Sequence, residues 1–244
     1  MDACGVRRNW AAGIDQRAPG LQDAAVLHED AGHFDDAIFT CGEPGGFKID
    51  DGVSHEHRMR GANDIRVAPK IETARLFLRG WAEGDAAAFA DMNEDPRVME
   101  FFVSTSPRER SLESAKVMHD DLEANGFGWF VMEVKGEPGF AGVIALADVR
   151  NDLPFAPARE IGWRLPVHRW NHGYATEAAS ALMQFGFDAL GMEEIVSVTA
   201  AINLRSQRVM EKLGMTRDVH GDFLHPRVPK GHRIEPHVLY RKRR

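Results

Sequence analysis

The sequence predicts an α+β domain in which a mixed, mostly antiparallel sheet is flanked by helices. Short segments of alternating polar and apolar residues, typical of strands, are interleaved with segments that have the three-to-four-residue period of a helix. Hairpin connections dominate the middle of the chain, and strands joined by tight turns are antiparallel. The predicted order of elements is β-α-α-β-β-β-α-β-α-β-β.

The first half of this order starts at about residue 71. Residues 75–79 alternate as a strand, and the alanine-rich residues 83–92 favour a short helix. The sequence Ser106-Pro107-Arg108-Glu109 has the pattern of a capping box with proline at the first helical position, and it predicts a helix to about residue 124.

The middle of the chain predicts a hairpin followed by a third strand. Residues 127–135 and 140–150 read as strands joined by Gly136-Glu137-Pro138-Gly139. Residues 159–165 alternate as the next strand, which Pro166 ends because proline has no backbone donor.

The last third predicts two more helices and the closing strands. A helix over 173–190 stops at Gly191, and the β-branched residues 194–200 favour a strand. Asn203 is placed to cap a helix over 204–213, which Gly214 ends. Residues 215–224 and 236–241 are expected to pair as closing strands.

The domain is predicted to span residues 67–244, with residues 1–66 as a mobile or loosely packed extension. The extension holds 12 acidic against 7 basic residues, and only 21–27 (helical) and 37–40 (strand) are expected to order. Its metal-ligand residue types match no known ligand spacing, so we expect no metal. These residues are His28, His33, Cys41, His55 and His57.

Composition limits the possible partners. A net charge of −7 favours no nucleic acid partner, and no apolar run reaches the length of a membrane span or a signal-peptide core. Two cysteines outside any C-x-x-C pair fit a reducing compartment. We therefore expect a cytoplasmic protein without a membrane partner, either a monomer or a homodimer.

The segment from 159 to 178 predicts an anion site. It runs from a strand through a turn containing Gly173 into a helix. Such a turn leaves several backbone amides without intrahelical acceptors, and the helix dipole adds positive potential there. A phosphate or diphosphate is the ligand that this arrangement suits.

Two sequence blocks carry a family resemblance. Trp170-Asn171-His172-Gly173-Tyr174-Ala175-Thr176-Glu177-Ala178 resembles the acyl-CoA-binding turn of the GNAT N-acetyltransferases, usually Gln/Arg-x-x-Gly-x-Gly/Ala. The block from Asn203 to Met215 resembles the Asn-x-x-Ser…Glu-Lys-Leu-Gly-Phe pattern of the branch that acetylates ribosomal-protein N-termini. The resemblance spans about residues 71–240, and it implies the GNAT fold, whose sheet splays open after its fourth strand.

The resemblance also implies how acetyl-CoA, the expected cosubstrate, would bind. Backbone amides of the turn would hold the diphosphate, and main-chain groups of 163–167 would pair with the pantetheine. The amide of Leu165 would donate to the thioester oxygen. The implied cofactor-binding residues are Trp163, Leu165, Val167, Trp170, Asn171, His172, Gly173, Tyr174, Ala175, Thr176, Asn203 and Ser206.

Two side chains are candidates for proton transfer. Glu160 could be the general base, or a solvent-facing or substrate-orienting carboxylate. Ser206 could replace the family's usual tyrosine acid, because Met210 occupies that position, or it could only cap the helix or position water. Asn203 could cap the helix and also bind pantetheine. Five aromatic residues could line an acceptor pocket or belong to the core: Trp81, Phe101, Phe102, Phe127 and Trp129.

The predicted function is acetyl transfer from acetyl-CoA to a primary amine in a ternary complex. Both cysteines lie in the extension, so an acyl-cysteine intermediate is not expected. The acceptor could be a protein N-terminus or a small-molecule amine, since fold does not determine it. One alternative is a non-catalytic acyl-CoA-binding or sensing domain, and another makes the extension a metal- or partner-binding module.

Overall fold

The computed structural model describes residues 48–49 and 68–244, and in these residues ten strands form one sheet with four helices around it. The strands are β1 (Lys48–Ile49), β2 (Ile71–Glu72), β3 (Leu76–Arg79), β4 (Trp129–Val134), β5 (Glu137–Asp148), β6 (Arg159–Arg164), β7 (Glu194–Ala200), β8 (Thr216–Arg217), β9 (Phe223–Leu224) and β10 (Pro236–Arg243). The helices are α1 (Asp85–Glu94), α2 (Arg108–Asn125), α3 (Tyr174–Asp188) and α4 (Leu204–Lys212).

The sheet is mixed and mostly antiparallel, which confirms the predicted α+β class. Its strand order is β1-β2-β3-β4-β5-β6-β7-β10-β8, with β9 pairing beside β8 on β10. The pair β6–β7 is parallel and the other pairs are antiparallel. Helix α3 makes the crossover between the two parallel strands, as such connections require.

Alternation along β6 assigns its side chains to two different layers. Ile161, Trp163 and Leu165 are at most 1% exposed and pack in one core cluster with the apolar side of α3. Glu160 and Arg164 project from the opposite face. Helices α1 and α2 cover that face over β4 and β5, in a second cluster that includes Phe89 and Met118. Strand β6 is therefore buried on both faces.

The two parallel strands separate almost at once. Their backbone ladder consists of one register pair, Glu160 opposite Val196. One residue further along, the hydroxyl of Ser197 donates to the carbonyl of Ile161 at 2.8 Å. Beyond this point β6 and β7 share no further backbone pair, so the sheet is open between their C-terminal ends, as the family resemblance implied.

Several local expectations need correction. The capping-box bond is absent: α2 begins at Arg108 after Pro107 with no side-chain cap, and the Ser106 hydroxyl lies against the Pro107 carbonyl. The predicted four-residue hairpin turn is shorter, because a register shift after Met132 brings 137–139 into β5. Residues 215–224 are not one strand, since Asp218 caps a 3₁₀ turn that separates β8 from β9.

Most of the predictions for the N-terminal extension lie outside the described residues. They are the helical turn at 21–27, the strand at 37–40 and the candidate metal ligands. Two residues of the predicted extension are described. Lys48 lies opposite Glu72 and Ile49 opposite Ile71, so this piece adds an antiparallel strand to the edge of the sheet at β2. No strand was predicted from the sequence at residues 48–49.

Candidate active site

The turn before α3 has the geometry of an anion site. Asn171 and Gly173 both take left-handed backbone conformations, with φ of 63° and 80°, and the helix begins at Tyr174. The first helical amide bond is that of Glu177 to the carbonyl of Gly173. Within the described part of the chain, the amides of residues 171–176 have no hydrogen-bond acceptor. Six consecutive donors at a helix N-terminus fit a diphosphate.

A side chain adds to these donors. The hydroxyl of Thr176, in the first turn of α3, is buried and has no hydrogen-bond partner among the described residues. A buried hydroxyl without a partner costs free energy, so such a group in a folded protein often has a ligand. Its place in the first helical turn adds a donor for the same anion.

The turn is fixed by contacts that the sequence did not reveal. Arg75, just before β3, donates from its guanidinium to the carbonyl of His172 at 2.8 Å and to Glu177 at 2.7 Å. Its guanidinium also lies 5.0 Å from the centre of the Tyr174 ring. The His172 and Tyr174 rings stack with centroids 5.4 Å apart. The only sequence signal was Glu177 itself, an acidic residue in the first turn of a helix.

The end of β6 offers the main-chain groups that the resemblance implied. Trp163 and Leu165 have buried side chains, so only their backbone can reach a ligand. Among the described residues the amide of Leu165 has no hydrogen-bond acceptor. Its carbonyl is used, because the Trp170 indole donates to it at 2.8 Å. Trp170 therefore fastens the turn to the strand end, and Val167 starts the short 3₁₀ turn between them.

Asn203 and Ser206 lie at the start of α4, directly after β7. Asn203 is fully buried, and its Oδ1 accepts from the amide of Ser206 at 3.3 Å, so its capping role is confirmed. Its Nδ2 donates to Thr199 Oγ1 at 2.9 Å. Ser206 is 1% exposed. Both residues stand at the C-terminal end of β7, on the opposite side of the opening from Leu165.

Glu160 is not at the end of the strand. It lies where β6 and β7 still pair, and it is 5% exposed. Leu165 is five residue steps further along the extended chain, which corresponds to about 16 Å. Glu160 therefore lies on the face of β6 that α1 and α2 cover, and it is not beside the Leu165 amide.

A cavity of about 370 Å³ opens on the same face of the sheet, between α1, α2 and the segment from 225 to 234. Phe101 and Phe102 line it, whereas Trp81 and Trp129 are core residues joined by a 2.8 Å bond from the Trp81 indole to the Trp129 carbonyl. Phe127 lies under the guanidinium of Arg159 instead. Of the five aromatic candidates, two therefore line a pocket.

Arg164 forms part of the cavity wall. Its Nη1 donates to Asn93 Oδ1 at 2.6 Å, and Asn93 Nδ2 donates to Ser111 Oγ at 3.1 Å. The guanidinium also lies 4.2 Å from the centre of the Phe102 ring. Contacts from α1 and α2 therefore hold the Arg164 side chain in one orientation. Sequence reasoning missed this residue because its charge in an alternating strand suggested only a solvent-facing position.

One side chain joins the turn to the cavity. The guanidinium of Arg205, in α4, lies 5.2 Å from the Trp170 ring and 5.2 Å from the Phe101 ring, and it pairs with Glu100. The proposed diphosphate turn and the cavity are thus neighbours around the open end of the sheet. This arrangement suits two substrates that meet between them.

Comparison with known proteins identifies the family. The model of the acetyltransferase (GNAT) domain matches residues 75–216, more than half of the chain. This chain belongs to the GNAT acetyltransferases. The match covers both the turn before α3 and the Asn203 block. The protein is accordingly an enzyme of the N-acetyltransferase class.

Individual relatives agree with the family. The chain is 29% identical over 161 residues to the uncharacterized N-acetyltransferase YnaD of Bacillus subtilis, covering 66% of this chain and 89% of that protein. It is 31% identical over 160 residues to the FsC-acetyl coenzyme A-N(2)-transacetylase of Aspergillus fumigatus, covering 62% of this chain and 67% of that protein. Both relatives are named as acetyl-transferring enzymes.

Solved structures show the same fold. A GNAT-family acetyltransferase from Bacillus anthracis superposes with a TM-score of 0.60 at 26% identity, covering 71% of this chain and 98% of that chain. Spermidine N-acetyltransferase from Vibrio cholerae, in complex with CoA and spermine, superposes with a TM-score of 0.56 at 16% identity, covering 70% and 96%. The second similarity supports the fold alone.

No helix among residues 68–244 is long and apolar enough to cross a membrane.

Proposed function

We propose that this GNAT enzyme transfers the acetyl group of acetyl-CoA directly to a primary amine held in the cavity. The run of six backbone amides without acceptors at residues 171–176, beside the unpartnered Thr176 hydroxyl, carries this proposal. Those donors suit the negatively charged oxygens of a diphosphate, and acetyl-CoA, the proposed acetyl donor of this GNAT enzyme, carries one. No metal is part of the proposal.

The opening between β6 and β7 is the proposed place of the pantetheine arm. Backbone groups at 163–167 would bind it from one side, and Asn203 from the other. The Leu165 amide would then donate to the thioester oxygen, where negative charge develops as the amine attacks. Loss of one such donor typically costs about 3 kcal/mol of transition-state stabilisation.

The amine must be neutral to attack, so its proton has to leave. Glu160 is the proposed base, and because about 16 Å of strand separates it from Leu165, it would take the proton through a chain of several water molecules rather than by contact. Ser206 is the proposed proton source for the departing thiolate. Since a thiolate with an ordinary pKa near 8.5 leaves readily, we expect the Ser206 contribution to be small.

The acceptor is proposed to be a primary amine. The block from Asn203 to Met215 is similar to the branch that acetylates ribosomal-protein N-termini, which favours a peptide acceptor. The Aspergillus relative is named for a different acceptor, FsC, so a small-molecule amine is the other acceptor class that we propose. A cytoplasmic location, and a monomer or homodimer, are likewise proposed.

Two experiments test the proposal. Calorimetric titration of the full chain with CoA should show one site, and a thiol-release assay with acetyl-CoA against amines should show turnover. Glu160→Gln should slow turnover between a hundredfold and ten-thousandfold without changing CoA affinity, as loss of a general base does. Wild-type rates across pH for Glu160→Gln would refute the base. CoA binding without thiol release by any amine would favour the alternative of a non-catalytic sensing domain.

A further inference from the structure

Given the acetyl transfer proposed above, we infer that the acceptor is a small primary amine with a single apolar side group and no second positive charge. The cavity beside β6 would bind the apolar group and leave the amine at the open end of the sheet. There the amine nitrogen bonds to the acetyl carbon, the carbon–sulfur bond breaks, and the proton that the amine loses is balanced by release of CoA as its thiol.

The interior of the cavity is apolar. Six of its lining residues have large apolar side chains that are at most 8% exposed: Phe89, Met99, Phe101, Met118, Val228 and Ile234. Three of them belong to the core cluster covered by α1 and α2, and three belong to a separate cluster that also contains Ala200 at the end of β7. The cavity therefore lies between two apolar clusters, and a group that fills it would remove apolar surface of both from water.

The exposed residues of the cavity wall lie in one segment. Within the described lining they are Val103, Ser104, Thr105, Pro107 and Arg110, around the start of α2. This segment therefore forms the mouth through which the cavity meets solvent, and the buried apolar residues form its inner end. The volume of about 370 Å³ is near the lower limit for small-molecule sites, so the cavity suits one side group rather than a protein surface.

Two aromatic residues connect the cavity to the proposed transfer point. The centre of the Phe102 ring lies 4.2 Å from the guanidinium of Arg164, the β6 residue that precedes the proposed oxyanion donor. The centre of the Phe101 ring lies 5.2 Å from the guanidinium of Arg205, which is equally close to the Trp170 ring of the turn. Phe102 thus lies on the β6 side of the opening and Phe101 on the α4 side. An apolar group of the acceptor would contact these two rings next to its amine.

The cavity disfavours a second ammonium group. None of the described residues that line it is an aspartate or a glutamate. Burying an ammonium group without an anionic partner is costly, so a polyamine would leave at least one charge unpaired. The amine that reacts avoids this cost, because it loses its proton before it attacks. An acceptor with one amine and one apolar group therefore fits the cavity better than a polyamine does.

Amines of graded apolar size test the inference on the full chain. We would measure kcat/KM for thiol release from acetyl-CoA with ethylamine, butylamine, 2-phenylethylamine, spermidine and a tripeptide that begins with phenylalanine. Ethylamine and butylamine have nearly the same basicity, so butylamine should be faster by about tenfold through burial of its two further methylenes. We expect 2-phenylethylamine to exceed ethylamine at least tenfold and spermidine to fall below butylamine. Equal values for the three simple amines, or faster turnover with spermidine or the tripeptide, would overturn the inference while leaving acetyl transfer standing.

Variants locate the effect in the cavity. Phe102→Ala should lower the ratio of kcat/KM for 2-phenylethylamine to that for ethylamine at least fivefold, because an aromatic contact is lost with the larger amine alone. Phe127→Ala is the matched control, since Phe127 is also partly buried under a guanidinium, that of Arg159, but does not line the cavity. Equal losses for both amines in Phe102→Ala, or the same change of ratio in Phe127→Ala, would contradict apolar recognition.

A second variant narrows the cavity from another wall. Ser114 lies in α2, is partly buried and lines the cavity. Ser114→Leu should lower the same ratio at least fivefold, because the larger amine loses room that ethylamine does not need. If Phe102→Ala does not fold, this variant decides the question. An unchanged ratio in Ser114→Leu would overturn the inference.

If no amine supports thiol release, the proposed function fails and binding decides the inference. Ethylamine and 2-phenylethylamine would then be titrated into the protein by calorimetry at two temperatures in the presence of CoA. Stronger binding of 2-phenylethylamine, with a negative heat-capacity change and weakened in Ser114→Leu, would support an apolar site. Absence of heat from 2-phenylethylamine at both temperatures, or equal affinity for the two amines, would overturn it.

Discussion

Glu177 accepts hydrogen bonds from both the backbone amide and the guanidinium of Arg75, at 2.8 and 2.7 Å. The hydroxyl of Thr73 donates to the same carboxylate at 2.6 Å. These bonds join the first turn of α3 to the loop between β2 and β3, about a hundred residues earlier in the chain. Because Arg75 also donates to the carbonyl of His172, these contacts fix the carbonyl groups of the turn and leave its amides directed outward.

Replacing Glu177 should therefore weaken CoA binding without any contact to CoA being lost. We expect Glu177→Gln to raise the Kd for CoA about three- to tenfold and to lower the free energy of unfolding by about 1 kcal/mol, the scale of a partly exposed charged hydrogen bond. Calorimetry and denaturant unfolding measure the two effects. Glu211→Gln is the control, since Glu211 pairs with Arg208 on an exposed face, and an equal loss there would refute the role of Glu177.

Substitutions at the two residues of the turn with left-handed backbone conformations should have different effects on CoA binding. Gly173→Ala forces a side chain into φ of 80° and should destabilise the protein by about 1–2 kcal/mol while weakening CoA binding at least tenfold. Asn171→Gly relieves the same kind of strain at φ of 63° and should keep CoA affinity. Thermal unfolding and CoA titration of both variants check this. Equal affinity in Gly173→Ala would show that the turn geometry is not needed.

Substitution of Thr176 should change CoA affinity without lowering the stability of the protein. Thr176→Val removes a buried donor that has no partner among the described residues, so the protein should be as stable as before or slightly more stable. If the hydroxyl binds the diphosphate, CoA affinity should nevertheless fall by about tenfold, which is about 1.4 kcal/mol. Thr176→Ser, which keeps the hydroxyl, should retain most of the affinity. Unchanged binding in the valine variant would exclude this contact.

Asp218 should make the domain sensitive to acid. Its hydrogen bond to Arg241 is the main cause that lowers the pKa of this carboxyl below 3.8 in the folded state. A lowered pKa stabilises the fold above the unfolded-state value, and the stabilisation is lost as pH falls through the folded-state value. The unfolding midpoint of Asp218→Asn should thus fall below wild type near neutral pH, and the difference should narrow as pH falls below 3.8 and vanish once pH is below the lowered folded-state pKa. Asp121→Asn, at a carboxylate without an ion pair in the described residues, should show no such convergence.

The strand that leads to the site was predictable because its pattern and its end were both encoded locally. Alternation over 159–165 and the proline after it predicted β6 to within one residue, and Asn203 capped α4 as expected. The register shift in β5 was not predictable, because it depends on pairing between two strands. The break at residues 218–222 was also missed, since the Asp218 cap competes with a strand pattern that looked continuous.

The candidate site likewise has features that could be predicted from the local sequence and features that could not. The anion turn followed from a glycine before a helix, a local rule that the backbone geometry of Gly173 now explains. The Arg75–Glu177 ion pair and the cavity could not be predicted, because each brings together residues that are distant in sequence. Arg164 in particular acquires its setting from Asn93 and Ser111, on two other elements.

The single backbone pair between β6 and β7 has a consequence for the folded protein itself. Past that pair, two strands inside the sheet have facing edges whose polar groups lack a neighbouring chain. If the proposed pantetheine arm fills the gap, it would act as a missing strand, and the sheet would be complete only when CoA is bound. CoA at a hundredfold excess over its Kd would add about 2.7 kcal/mol to the free energy of unfolding, or about 5–10 °C to the Tm. The thermal stability of the enzyme would then depend on the concentration of CoA.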